Sequence, residues 1–324
     1  MVAANELPAG RPVTPLISMI MPVWRPERKW LLQAVRSALG QRHSDQELIV
    51  IDDGNDEPVE SLLSGLDDPR LRFLRIPHGG PYRARNAGIA SARGDLIRFV
   101  DSDDLFELDG NARLTRLMKG DDVITYGATM FCDENLRPVW KMACRVEGWA
   151  VESCLLSLFQ VRIASMLFPR RVVEATGEWD PDFSVSGDWD YVLRTLEHAP
   201  VRGEERVASC YRRRAGSVTA NVAAGEAGAH RVTSRYFERH PEQRGTRLER
   251  RVEAMLEARA ARVRGTHGQR RESLRRLGRA FVLDPRAVGQ EFRQGVPALW
   301  GRLRYKHLGA LGTPLASRLR HPSS

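Results

Sequence analysis

The 324-residue sequence contains no apolar run of about 18 residues, so nothing in it reads as a membrane-spanning helix. Its first stretch, "MVAANELPAGRPVTPL", has neither a basic n-region nor an apolar h-region, and residues 1–13 read as a disordered leader, not a secretory signal. Cysteine is scarce. Cys132, Cys144, Cys154 and Cys210 show no C-x-x-C spacing, which supports neither a zinc knuckle nor a disulfide framework and predicts reduced thiols in a cytoplasmic protein. The glycine-rich phosphate cradles are missing too. With no G-x-x-x-x-G-K-[ST] and no G-x-G-x-x-G after a strand, neither a P-loop ATPase nor a dinucleotide-binding dehydrogenase is favoured. Lysine supplies only four of the 50 basic residues.

What is present is ordinary in bulk and uneven in placement. The chain is 42% hydrophobic and 28% charged, with a net charge of +9. Residues 201–324 hold 27 Arg/Lys against 11 Asp/Glu, whereas residues 1–200 hold 23 against 30. An acidic front and a basic rear suggest two tasks. Along the front, apolar strands at 16–23, 47–52, 71–76 and 95–101 alternate with helices at 27–39 and 82–92, the first carrying Leu31, Val35 and Leu39 at helical spacing. Such alternation predicts an α/β fold, a mostly parallel sheet covered on both faces, with ligands bound beyond the carboxyl ends of the strands.

Two acidic clusters sit at those ends: Asp52-Asp53 and Asp101-Ser102-Asp103-Asp104. Crowded carboxylates repel unless a cation lies between them, and a divalent cation takes oxygen ligands while bridging to substrate phosphates. Asp104 has a local explanation, as the cap of a helix over 107–117 with Glu107 completing a capping box. That leaves Asp101 and Asp103 for a metal. "VIDDGNDEP" also reads as a strand ending in a turn, and an Asp there can accept a base N–H from a nucleotide.

Four segments, "ISMIMPVW", "ELIVIDDGND", "GGPYRARNAGIASARGDLIRFVDSDDLF" and "GEWDPDFSVSGDWDYVLR", occur in the order and spacing of family-2 glycosyltransferases of the GT-A fold. The resemblance covers about residues 14–215 and implies an inverting transferase acting on a nucleoside-diphosphate sugar, most commonly a UDP-sugar. It places Pro22 and Trp24 near the base, although relatives usually carry Tyr-Asn where this chain has Trp24-Arg25. It assigns Asp52 and Asp53 to base recognition, Arg85 to the nucleotide side, and Asp101 and Asp103 to Mn²⁺ or Mg²⁺ on the diphosphate, with Asp101 also counted in the donor site. Asp188 falls on the general base, with Asp190 as the alternative; Gly187 stands where relatives usually have Glu. Arg214 occupies the place of a His in the family's closing loop. Structural alternatives are a core Trp24, a helix-surface Arg85, Asp188 as a helix N-cap and a solvated Arg214.

Such a site implies one in-line displacement without a covalent enzyme intermediate. The acceptor hydroxyl belongs to a saccharide or lipid-linked saccharide, and cell-surface polysaccharide or glycoconjugate synthesis is the expected setting. Residues 221–324 form a basic helical extension, with a helix hairpin over 246–285. An amphipathic stretch at 295–312 suits either peripheral contact of residues 286–324 with the anionic inner face of a membrane or packing on the protein itself. Three other functions compete: a sugar-phosphate nucleotidyltransferase, which lacks support because "PVWRPERKW" has no glycine-rich loop; a nucleic-acid binder, disfavoured without an aromatic-interleaved basic surface; and a non-catalytic relative.

Overall fold

A computed structural model describes residues 15–214 and 222–291. The leader 1–13 and the amphipathic stretch 295–312 therefore lie outside the described residues. The strands are β1 (Ile17–Val23), β2 (Gln46–Asp53), β3 (Leu71–Ile76), β4 (Leu96–Phe99), β5 (Leu105–Phe106), β6 (Ile124–Cys132), β7 (Pro138–Met142), β8 (Met166–Pro169) and β9 (Val201–Arg212). Helices α1 (Arg28–Leu39), α2 (Val59–Leu62), α3 (Pro81–Ser91), α4 (Gly110–Met118), α5 (Val151–Leu155), α6 (Arg170–Thr176) and α7 (Gly187–Thr195) alternate with them. Then follow α8 (Val222–Arg239), α9 (Arg247–Thr266) and α10 (Arg270–Leu283).

The sheet runs β3-β2-β1-β4-β8-β6-β9-β5, with β7 on β6. Pairing is parallel from β3 to β4 and again between β6 and β9, whereas β5, β7 and β8 enter antiparallel. Both faces of β1 are buried, which is why its sequence is a continuous apolar run and does not alternate. Met19 and Met21 meet Leu31, Val35 and Ala38 of α1 on one face, while Ile20 joins Tyr82, Ala84 and Phe99 on the other. Gly88 lets α3 lie directly on β1, because a Cβ there would overlap Ile20. This is the α/β architecture that the GT-A resemblance implies, followed by a helical C-terminal region.

The order of the first four strands positions the site. The chain winds from β1 through β2 to β3 on one side, then returns to pair β4 on the other side of β1. In sheets of this kind the ligand crevice lies beyond the carboxyl ends at such a switch point, which here is the space beyond Val23 and Phe99.

At the other end of these strands, Glu47 accepts hydrogen bonds from Ser18 Oγ (2.6 Å) and Arg93 N (2.7 Å) and pairs with Arg72 (2.5 Å). Burial pushes its pKa up, but these donors outweigh burial and hold it below the ordinary 4.5. A depressed folded pKa means stabilisation that is complete above the unfolded value and drains away as pH falls through the folded one. Glu47→Gln should cost about 2 kcal/mol at pH 7 and less near pH 3, as urea unfolding at the two pH values will show.

The expectation of four reduced thiols is corrected. Cys132 and Cys210 form a disulfide across β6 and β9, and Cys144 and Cys154 are free and buried. The partners are 78 residues apart and become diagonal neighbours only through the parallel β6–β9 pairing, so no local spacing announces them. Among the described residues no helix is long and apolar enough to cross a membrane.

Candidate functional site

Asp101 and Asp103 lie just past β4, at the switch point. Arg85, on α3, is 5% exposed, which excludes a helix-surface role. Its guanidinium rests 4.7 Å from the Trp179 ring centroid and donates to Asp101 at 2.5 Å, while its buried Nε has no hydrogen-bond partner among the described residues. Trp179 is itself held by Asn86, which bonds both its N–H and its carbonyl, and it stacks on Tyr191 at 4.0 Å. Arg85 is thus aimed at Asp101 by a rigid aromatic pile.

Asp103 pairs with Arg214 at 3.2 Å. Burial and the neighbouring Asp101 push its pKa up against the pull of Arg214. The same two influences, burial and then Asp103 and Asp101, push buried Asp104 far up. Asp104 does not cap the next helix: α4 begins at Gly110, after Asp109, and the Asp104 carboxylate accepts instead from Arg212 N at 2.9 Å. Arg212, 2% exposed, also donates to the Asp103 carbonyl (2.9 Å), the Glu134 carbonyl (2.6 Å) and Gln33 Oε1 (2.7 Å). The acidic loop is therefore pinned from β9.

Two carboxylates remain partly open to solvent, Asp101 at 36% and Asp103 at 22% side-chain exposure. Their hard oxygens and mutual repulsion fit a divalent cation. Among the described residues no three His, Cys, Asp or Glu side chains converge as a metal site, so a cation here would complete its shell from diphosphate and water.

At the end of β1, Pro22 is buried and Trp24 is 47% exposed, which excludes a core Trp. Trp24 stacks on His78 at 4.6 Å and has the Arg25 guanidinium 4.8 Å from its centroid. Asp53 accepts from His78 Nδ1 (3.0 Å), Gly79 N (2.8 Å) and Gly80 N (3.0 Å), fixing the turn into α3. Asp52 accepts from Asn55 N (3.0 Å), Asn55 Nδ2 (2.7 Å) and Val59 N (3.1 Å). Burial works against its charge, yet these bonds and Arg75 hold its pKa below the usual carboxylate value. Both carboxylates thus shape the loops around the crevice. His78, absent from the sequence reading, joins Asp53 to Trp24.

On the opposite side, Asp188 sits in the first turn of α7; Ser186, with φ 65°, takes the N-cap position. Its side chain is 36% exposed and accepts from Trp189 N at 3.0 Å, with Arg162 at 3.7 Å. Arg162, also missing from the sequence reading, lies over Tyr211 (4.4 Å) and within electrostatic reach of Asp104 and Asp101. Asp190 is different: it is 2% exposed and paired with Arg194 at 2.8 Å, whose other N–H groups hold the carbonyls of Thr176 and Glu178. The D-x-x-x-R spacing could have shown this pair in sequence.

Gly187 has a physical reason. Its N–H donates to Tyr82 Oη at 3.1 Å, and a Cβ there would overlap the Tyr82 ring. Burial and Asp188 push the Tyr82 phenol up to about 12, so it stays protonated. Gly187→Ala should cost about 2 kcal/mol through overpacking, partly recovered by Tyr82→Leu in the same chain; thermal unfolding of the two variants checks this.

Residues 18–168 match the model of Glycosyl transferase family 2, and this segment of the chain belongs to that family. A Haemophilus influenzae protein named as an uncharacterized glycosyltransferase is 41% identical over 123 residues, 37% of this chain and 49% of that one. A similarly named Rickettsia felis protein is 40% identical over 94 residues, 29% of this chain and 15% of its own. Succinoglycan biosynthesis protein ExoO of Rhizobium meliloti is 38% identical over 93 residues, 28% of this chain and 26% of that protein. The chain therefore spans about half of the first relative and far less of the other two.

Proposed function

We propose that the protein is an inverting glycosyltransferase that moves a sugar from a nucleoside-diphosphate donor, a UDP-sugar, to the hydroxyl of a saccharide or lipid-linked saccharide. The observation that carries this reading is the pair Asp101 and Asp103 at the switch point of a family-2 module, with Asp188 across the same crevice. The base lies against Trp24 and His78, in loops braced by Asp52 and Asp53. Asp101 and Asp103 would hold Mn²⁺ or Mg²⁺, which neutralises charge on the leaving diphosphate. Arg85 and Arg214, each already beside one of these carboxylates, add positive charge there. Asp188 accepts the proton of the acceptor hydroxyl as that oxygen bonds to C1 from the face opposite the diphosphate. The C1–O bond to the diphosphate breaks and the anomeric centre inverts.

The name of the succinoglycan relative supports cell-surface polysaccharide or glycoconjugate synthesis as the setting. A cytoplasmic site at the inner face of the membrane, reached through residues 286–324, suits a lipid-linked acceptor. A screen of nucleotide sugars for Mn²⁺-dependent release of nucleoside diphosphate tests the activity. One donor should stand out, and no release from any donor would remove the reading.

A further inference from the structure

Among the described residues, the helix hairpin leaves one face of α10 without a partner. Its inner face is occupied: Ser273 Oγ bonds the Ala261 carbonyl, Arg276 pairs with Glu257 at 3.1 Å, and Ala280 is fully buried against α9. Outward, Leu274 is 69% exposed, Phe281 61% and Val282 85%. Spacings of seven and eight residues place all three on one side of the helix. Single exposed apolar residues are ordinary, but these form a stripe with Arg271, Arg275 and Arg279 along one flank and Arg270 on the other. Arg270 and Arg271 make no ion pair among the described residues, and the Arg275 and Arg279 side chains are 77% and 63% exposed.

We infer that this outward face of α10 docks on an anionic phospholipid bilayer, with Leu274, Phe281 and Val282 in the interfacial layer and the arginines among the headgroups. Charge decides between occupants. Residues 270–324 contain 12 Arg/Lys and three acids, so neither a second copy of this face nor the chain after residue 291, which carries only basic charges, complements it. An anionic bilayer complements both the arginines and the apolar stripe, whereas a nucleic acid would leave the aliphatic side chains unmatched. The hairpin is also fixed to the acceptor side: Trp189, beside Asp188, packs with Ala254, Met255 and Leu256 of α9. The contact rests on the transferase reading only for its purpose, that of bringing Asp188 towards acceptors held in a membrane.

The test uses the full chain, vesicles of phosphatidylcholine alone or with one third phosphatidylglycerol, and a single-stranded oligonucleotide. The protein should sediment with anionic vesicles, less at high salt, and not with neutral ones. The double variant Leu274→Glu/Phe281→Glu should bind them at least about tenfold more weakly, with unchanged melting temperature and unchanged donor hydrolysis. Arg271→Gln/Arg275→Gln should lose part of the binding and most of its salt dependence. Wild-type vesicle binding by the Leu274/Phe281 variant would overturn the proposal, as would binding to the oligonucleotide but not to vesicles, or a dimer in gel filtration that this variant dissolves. Because sedimentation needs no turnover, a failed donor screen leaves this result readable.

Discussion

Asp188→Asn should leave the protein folded and able to bind UDP with Mn²⁺, yet slow transfer by about 10²–10⁴-fold, the usual contribution of a general base. The amide keeps the hydrogen bond from Trp189 N and loses the capacity to take a proton. Asp190→Asn makes the opposite prediction. Its carboxylate is spent on Arg194, itself anchored to two carbonyls of the preceding segment. Weakening that buried pair should cost about 3 kcal/mol with a far smaller effect on transfer per folded molecule. Steady-state kinetics beside thermal melts of both variants decide the matter. Normal turnover in Asp188→Asn with an inactive, stable Asp190→Asn would move the role to Asp190.

Asp101→Asn and Asp103→Asn should each weaken Mn²⁺-dependent binding of UDP by more than about 100-fold, since each removes one of two protein carboxylates from the cation. Asparagine is the informative substitution at 101. Alanine would also leave the buried Arg85 guanidinium without its hydrogen-bond acceptor and confuse ligand loss with instability. Calorimetry with UDP, with and without Mn²⁺, reads the effect. Unchanged affinity in both variants would remove the metal from the proposal.

Local pattern made part of this molecule legible in advance. Strands β1 to β4 and helices α1 and α3 are apolar runs or helical stripes that fold against immediate neighbours, so periodicity reveals them. The acidic clusters were visible because like charges crowd without a local purpose. Their partners were not. Arg162 and Arg212 reach the crevice from 61 and 111 residues beyond Asp101 in the numbering, and nothing around either residue distinguishes it from a surface arginine. His78 stands before a Gly-Gly pair, which signals a turn but not a stack on Trp24. The capping expectation for Asp104 failed because the backbone of β9 competes for its carboxylate, a contact no window of ten residues contains.

Arg212 has a consequence for how the protein is made. Its amide meets Asp104 across 108 positions of sequence and its guanidinium meets the Asp103 carbonyl across 109. Ring closures that long contribute late, after the intervening chain has collapsed. During synthesis, therefore, the half of the sheet built from β1 to β4 can assemble while its acidic loop is still without the strand that pins it. A fragment ending at residue 168, although it contains every matched residue of the family segment, lacks β9. It should carry Asp101 and Asp103 on an unpinned loop, whose carboxylates spread apart to relieve their repulsion, and the competent crevice should arise only once β9 slots in beside β6.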